Sequence, residues 1–321
     1  MSPVQLKMRL IFFSVLLVLG FPFTMTEVVD SFSKCSGFFF EEKPPVIKDI
    51  LVESVSKDKN RYKLICHKYA TLYDATNKIP VFSAYKYTGK GAFSKLNRKW
   101  KTDKEVMFLT ACKEDYLNQN QWSRGHILPM SYAADVDTAK STCKLTNIVP
   151  QKESFNSGSW SRMEQTVKTV MDSNCRDVKE SNKILAYVLT GAVPSETGKM
   201  NNKVNIPSHM WTAFCCYNSK TNKWESQAHW AENIDESNNK GKTISKQSLT
   251  DVQDFLKSKY KETTPFNGKC LDLLNADVSQ PLEADSDDDQ QNDEERSVLA
   301  FLKAMEAKDW AAFRSFLGIG D

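Results

Sequence analysis

Apolar positions follow two different periods along this chain. From Ile79 to Tyr87, Ile184 to Gly191 and Trp211 to Tyr217, β-branched and aromatic residues cluster in short runs, which predicts strands, and Val106 to Leu109 reads the same way. From Ser154 to Ser173 the apolar residues Trp160, Met163, Val167, Val170 and Met171 form one stripe, which predicts an amphipathic helix, and Lys246 to Lys259 predicts another. Strands and helices that do not alternate strictly point to an α+β architecture rather than a doubly wound sheet. No internal repeat and no Pro/Gly/Ser-rich linker interrupts the middle of the chain, so residues 25–275 are expected to form one domain.

The two ends read differently. Lys7 and Arg9 precede an uncharged apolar run from Leu10 to Phe23, the layout of a secretory signal peptide over residues 1–24. That run is short of the roughly 20 apolar residues needed to cross the hydrocarbon layer. Residues 276–296 are acidic and poor in apolar side chains, which predicts a solvated, disordered linker. Over residues 297–318, Val298, Leu299, Phe301, Leu302, Met305, Trp310, Phe313 and Phe316 recur mostly at helical spacing, which predicts a C-terminal amphipathic helix. Lys303, Glu306, Lys308, Asp309 and Arg314 interrupt it, so no membrane span is expected there, and the mature protein is expected to be secreted and soluble.

Eight cysteines, all beyond the signal segment, favour disulfides in an exported chain; no CxxC pair offers zinc-ligand spacing. No Asn-x-Ser/Thr sequon occurs. The formal charge of +3 conceals a division, because the tail from Ala276 carries 12 acidic and 4 basic residues and residues 26–275 carry 37 basic against 28 acidic. A body with that excess attracts polyanions such as nucleic acid, although the same excess is also compatible with ordinary solubility.

One constellation carries chemistry. Arg124-Gly125-His126 places an arginine and a histidine two residues apart, which in extended backbone projects both toward one side. An ordinary histidine titrates at about 6.5 and acts as a base near neutral pH. Further on come Thr146-Asn147-Ile148-Val149-Pro150-Gln151, then Phe155-Asn156-Ser157-Gly158-Ser159-Trp160, then Glu164. An amide oxygen such as that of Asn156 suits a hard cation that keeps most of its water. Taken singly, His126 is readable as a packed residue, Asn156 as a helix N-cap and Glu164 as a solvated helix residue.

In this order and at these intervals, the motifs resemble the DNA/RNA non-specific endonuclease family, and especially its secreted branch, the endonuclease domain-containing 1 proteins. The likeness runs from about Phe38 to Leu271 and includes Ala70-Thr71-Leu72-Tyr73-Asp74 and Lys78-Ile79-Pro80-Val81-Phe82-Ser83-Ala84-Tyr85. The resemblance implies a ββα-metal (His-Me finger) fold, a central antiparallel sheet flanked by helices. It implies that His126 is the general base, that Asn156 holds a single Mg2+ or another divalent cation such as Mn2+, that Arg124 stabilises the phosphorane and that Glu164 supports the hydrated ion. Gln151, Asn147 and Trp160 match positions that shape the site, and the likeness hints that Cys112 pairs with Cys143. Ser123 departs from the pattern, because most members carry aspartate there.

The expected function is therefore a secreted, metal-dependent endonuclease that hydrolyses phosphodiester bonds of DNA and/or RNA without reading sequence, through phosphate contacts. Two other readings stay open: a catalytically weak protein that binds extracellular nucleic acid or another polyanion on the same fold, and an interaction scaffold that docks through its C-terminal helix. Lys86, Lys90, Arg98 and Lys99 form a basic stretch that is a possible phosphate contact. His67, His209 and His229 read as packing or surface residues.

Overall fold

The computed structural model describes residues 27–266, except 94, 95, 97, 98, 103, 120 and 240, together with residue 270. The expected signal segment, acidic linker and terminal helix lie outside the described residues. An antiparallel sheet organises the rest, built from β1 (Glu27–Val29), β2 (Tyr62–Cys66), β3 (Ala70–Asp74), β4 (Ile79–Tyr87), β7 (Cys175–Arg176), β8 (Ala186–Met200), β9 (Val204–Asn218) and β10 (Lys223–Glu232). Its order is β1-β2-β3-β4-β8-β9-β7, with β10 also paired to β9. Between β4 and β7 the chain leaves the sheet to form a ribbon of β5 (Trp122–His126) and β6 (Ile148–Lys152), joined through the short helix α1 (Val136–Ser141). The helix α2 (Ser161–Asn174) follows the ribbon, and α3 (Leu249–Tyr260) follows β10.

Burial on both faces of the sheet explains the nearly unbroken apolar runs. β4 is buried at every position except Lys86. One face packs Tyr85, Tyr87, Val188, Met210 and Phe214 against Ile127, Ile148, Val149, Phe155, Trp160, Met163 and Val167 of the ribbon and α2. The other packs Phe82, Leu72, Leu189 and Trp211 against Phe32, Phe39 and the α3 residues Val252 and Leu256. The ββα unit is thus fixed to the sheet by its own apolar underside.

Three disulfides are formed, Cys35–Cys66, Cys175–Cys216 and Cys215–Cys270. The Cys112–Cys143 pairing hinted at by resemblance is not formed. Cys112 caps the one-turn helix Lys113–Tyr116, where its N–H donates to Asp115 Oδ2 at 2.7 Å and Lys203 Nζ stands 3.7 Å from its sulfur. Cys143 is buried behind α1. Val106–Leu109 is also not a strand. Lys104–Val106 is a 3₁₀ turn, and the Leu109 and Thr110 N–H groups both donate to the Val106 carbonyl, at 2.8 and 3.0 Å. Only Val106 of that run is fully buried, while Met107 and Phe108 face solvent, so the segment has no sheet to join.

Candidate functional site

In the ribbon Ser123 stands opposite Gln151, Gly125 opposite Val149 and His126 opposite Ile148. Successive side chains of a strand point to opposite sides, so Arg124 and His126 share one side, as their spacing implied. Trp100 lies against both. Its ring centroid is 5.3 Å from that of His126, and the Arg124 guanidinium carbon is 5.4 Å from the Trp100 ring and 5.4 Å from that of Tyr116. Arg124 donates to the Lys113 carbonyl at 3.5 Å, and no described carboxylate pairs with it. A guanidinium held between ring faces keeps its fork of donors for an incoming anion.

Ser123, Gly125 and Gln151 share the ribbon's other side. A β-carbon at Gly125 would stand 2.1 Å from Gln151 Oε1 and 2.7 Å from Gln151 Cβ, so the glycine of the Arg-Gly-His motif is the space that Gln151 occupies. Gln151 is fully buried, and neither end of its amide meets a hydrogen-bond partner among the described residues. Leaving such a group unsatisfied costs about 1–3 kcal/mol. Asn147 is equally buried but fully bonded. Its Oδ1 accepts from Leu128 N–H at 2.9 Å, and its Nδ2 donates to the Leu128 and Thr142 carbonyls at 3.1 and 3.0 Å. It fastens the backbone just past His126.

Asn156 is not an N-cap. It lies in helical backbone between the short turn Glu153–Phe155 and a π-helical turn over Asn156–Trp160, which ends in α2. Wide turns of this kind are rare and gather at functional sites. Asn156 Nδ2 donates to Ser123 Oγ at 2.8 Å, and Ser123 Oγ in turn donates to the Gln151 carbonyl at 3.3 Å. This bond commits the Nδ2 end of the amide to the ribbon and leaves the Oδ1 end for another partner. Oδ1 accepts no hydrogen bond from the described residues. Ser123, where the resemblance implies aspartate, therefore holds the asparagine.

Glu164 stands in the first turn of α2, partly covered rather than solvated. Burial pushes its carboxyl up to about 8, opposed in part by the Trp160 indole. Tyr132 donates its hydroxyl to the Glu164 carbonyl at 2.7 Å, and the buried Tyr85 phenol is close enough to feel the carboxyl's charge. Strongly shifted carboxyls gather at functional sites.

Two expectations resolve away from the site. Lys86 points to the sheet face opposite the ribbon, with its ammonium 5.4 Å from the Tyr187 ring, because strand alternation sets it apart from Tyr85 and Tyr87. Arg98 lies outside the described residues. His209 packs against Trp230 and Phe255, and the buried His229 bonds Gln227 Nε2 at 2.7 Å and the Ser245 carbonyl at 2.8 Å. Burial lowers the pKa of both rings, and neither joins the Arg124–His126 side.

Sequence reasoning missed Glu236. It is 4% exposed and sits beside the π-turn, in a loop after β10 with no periodic signal. Only a carboxylate four residues after the end of β10 was there to find.

Among the described residues no group of three or more His, Cys, Asp or Glu side chains is placed to hold a metal. The available set is instead one amide oxygen, that of Asn156, whose Nδ2 is held by Ser123. Such a set fits a hard cation that retains most of its water, and does not fit zinc or copper.

The family model for DNA/RNA non-specific endonucleases matches residues 48–266. The endonuclease domain-containing 1 protein of Homo sapiens is 25% identical over 207 residues, 58% of this chain and 39% of that protein. The nuclease of Serratia marcescens is 29% identical over 164 residues, 49% of this chain and 59% of its own. The mitochondrial nuclease EXOG of Danio rerio is 37% identical over 156 residues, 43% of each chain. The matched segment spans well under half the length of the endonuclease domain-containing 1 relatives.

Proposed function

The chain belongs to the DNA/RNA non-specific endonuclease family, and from that premise we propose that it is a secreted, divalent-metal-dependent endonuclease acting on DNA and/or RNA. The observation that carries this reading is the Ser123–Asn156 bond, which leaves the Asn156 amide oxygen for another partner and ties it to the ribbon that also holds Arg124 and His126. The three disulfides and the N-terminal apolar run support export. No described helix is long and apolar enough to cross a membrane. Residues 25–275 are the nuclease domain in this reading.

His126 in its neutral form takes a proton from a water that attacks phosphorus in line with the leaving oxygen. Contact with the Trp100 ring restricts the imidazole's orientation, which reduces the entropy cost of that alignment. Arg124 donates charge-assisted hydrogen bonds to a nonbridging oxygen as the pentacovalent state gathers charge. Asn156 Oδ1 would hold Mg2+ or Mn2+, which when bound offsets charge on the phosphate and on the leaving 3′ oxygen. The leaving oxygen takes its proton from solvent, and the product carries a 5′ phosphate. Nothing on the ribbon reads a base edge, so contacts to phosphate and sugar give cleavage without sequence preference and a steep salt dependence.

The test is cleavage of plasmid and RNA by the secreted, oxidised protein in Mg2+, with and without EDTA. Cutting that stops in EDTA supports the reading. An intact protein that binds DNA but never cuts it favours the polyanion-binding alternative. Ser123→Ala removes the bond that holds Asn156, worth about 1 kcal/mol, together with the longer bond to the Gln151 carbonyl, and from the first we expect about a fivefold rise in the Mg2+ concentration for half-maximal cleavage. Ser123→Asp keeps an acceptor for Asn156 Nδ2 and should stay within about twofold of the wild type, measured in the same metal titration.

A further inference from the structure

We infer that Glu236 is a positioning residue for Asn156, acting through the π-turn rather than on substrate. The inference rests on Asn156 being the metal-holding residue.

Asn156 is bracketed by one loop. On its N-terminal side, Ser154 Oγ donates to Asp235 Oδ1 at 2.5 Å and accepts from Glu236 N–H at 2.8 Å. On its C-terminal side, Ser159 N–H donates to Glu236 Oε2 at 3.2 Å and Ser159 Oγ donates to Glu236 Oε1 at 2.8 Å. Gly158, with φ −96° and ψ −118°, breaks the helical path, and Glu236 Oε2 meets the Ser159 N–H just beyond that break. A β-carbon at Gly158 would stand 3.1 Å from Glu236 Oε2, so the turn is cut to fit this carboxylate.

The loop itself is fixed from both ends. Asn233 accepts from Lys152 N–H at 2.8 Å and donates to the Pro150 and Pro207 carbonyls at 3.1 and 2.9 Å. Lys242 Nζ pairs with Glu236 Oε1 at 3.2 Å, and the Lys242 carbonyl accepts from Arg162 of α2 at 2.5 Å. A nearly buried carboxylate that spends both oxygens on one serine and one lysine is committed to a single turn geometry. That turn carries the one side chain proposed to touch the ion. Partners that orient a metal-binding side chain are worth about 10- to 100-fold in metal affinity.

The test is Mn2+ binding to the full chain, freed of metal by chelation and titrated by electron paramagnetic resonance, with cleavage measured across the same Mn2+ series. Glu236→Ala should weaken Mn2+ binding at least about tenfold and shift half-maximal cleavage by the same factor. Cleavage at saturating Mn2+ and DNA binding in EDTA should stay within about threefold. Glu236→Gln, which keeps one acceptor oxygen, should fall between the two. If Glu236→Ala does not fold, Ser159→Ala removes only the 2.8 Å bond and should weaken Mn2+ binding about threefold. Unchanged Mn2+ affinity with a lowered melting temperature would reduce Glu236 to a merely structural role. A wild type that binds no Mn2+ overturns the reading of Asn156, and this inference with it.

Discussion

His126→Ala should lower cleavage of plasmid DNA by about a thousandfold in saturating Mg2+, the central value for removing a positioned general base. DNA binding in EDTA should be unchanged, because on this reading the imidazole acts on the attacking water and not on the phosphate. The fold should survive, since His126 is part-buried and the loss of its contact with Trp100 costs about 1 kcal/mol. Free imidazole added at tens of millimolar should return part of the rate, on the order of tenfold, if it supplies the missing base. The rescued rate should rise with pH through the titration of free imidazole. A variant that cuts at the wild-type rate would place the base elsewhere on the ribbon.

Glu164→Gln has the second large effect, and it has opposite signs for activity and stability. The Glu164 carboxyl is raised to about 8 by burial, above its ordinary 4.5. A raised carboxyl pKa means that the folded state binds the proton more tightly than the unfolded chain. Its contribution is therefore intact below about pH 4.5, declines as pH rises toward 8, and is a constant cost above that. At pH 8.5 that cost is about 2–4 kcal/mol in the metal-free protein, allowing for the partial exposure of the side chain. Glu164→Gln removes the titration, so urea melts in EDTA should show equal stability at pH 4.5 and a gain of that size for the variant at pH 8.5. Cleavage should fall about a hundredfold above about pH 8, where the carboxylate that supports the reacting centre is ionised, and by less below it, where the wild-type group is itself neutral. Parallel stability curves for the two proteins would show that Glu164 titrates normally, and the assignment would fail.

The elements that could be read from the sequence are those whose period is set by one large partner. Ile79–Tyr87 matches β4, and Ser154–Ser173 covers the π-turn and α2, because the sheet and the stripe of α2 bury continuous apolar surface. Residues 106–109 look like a strand but fold as a turn, since an apolar run becomes a strand only where an edge is free to pair with it. Arg124, His126 and Asn156 were legible from motif order, and the structure adds the reason for Gly125, which is the bulk of Gln151 beneath it. Glu236 was not legible. Its partner Ser159 is 77 residues away, and a lone acidic residue in a polar loop carries no local signal of burial. The departure at Ser123 could be seen in the sequence, but its meaning depended on a contact across 33 residues.

The adjacent cysteines of β9 belong to different layers of the protein. Cys216 reaches Cys175, the residue that ends α2, and Cys215 reaches Cys270 on the other face. Strand side chains alternate, so a slip of β9 by one residue exchanges the two sulfurs between layers. Each would then stand a full sheet thickness from its own partner, and neither native bond could close. Only the alignment that brings β9 into step with β8 and β10 lets both native bridges close, and the Cys175–Cys216 bridge ties the layer carrying Asn156 to the sheet.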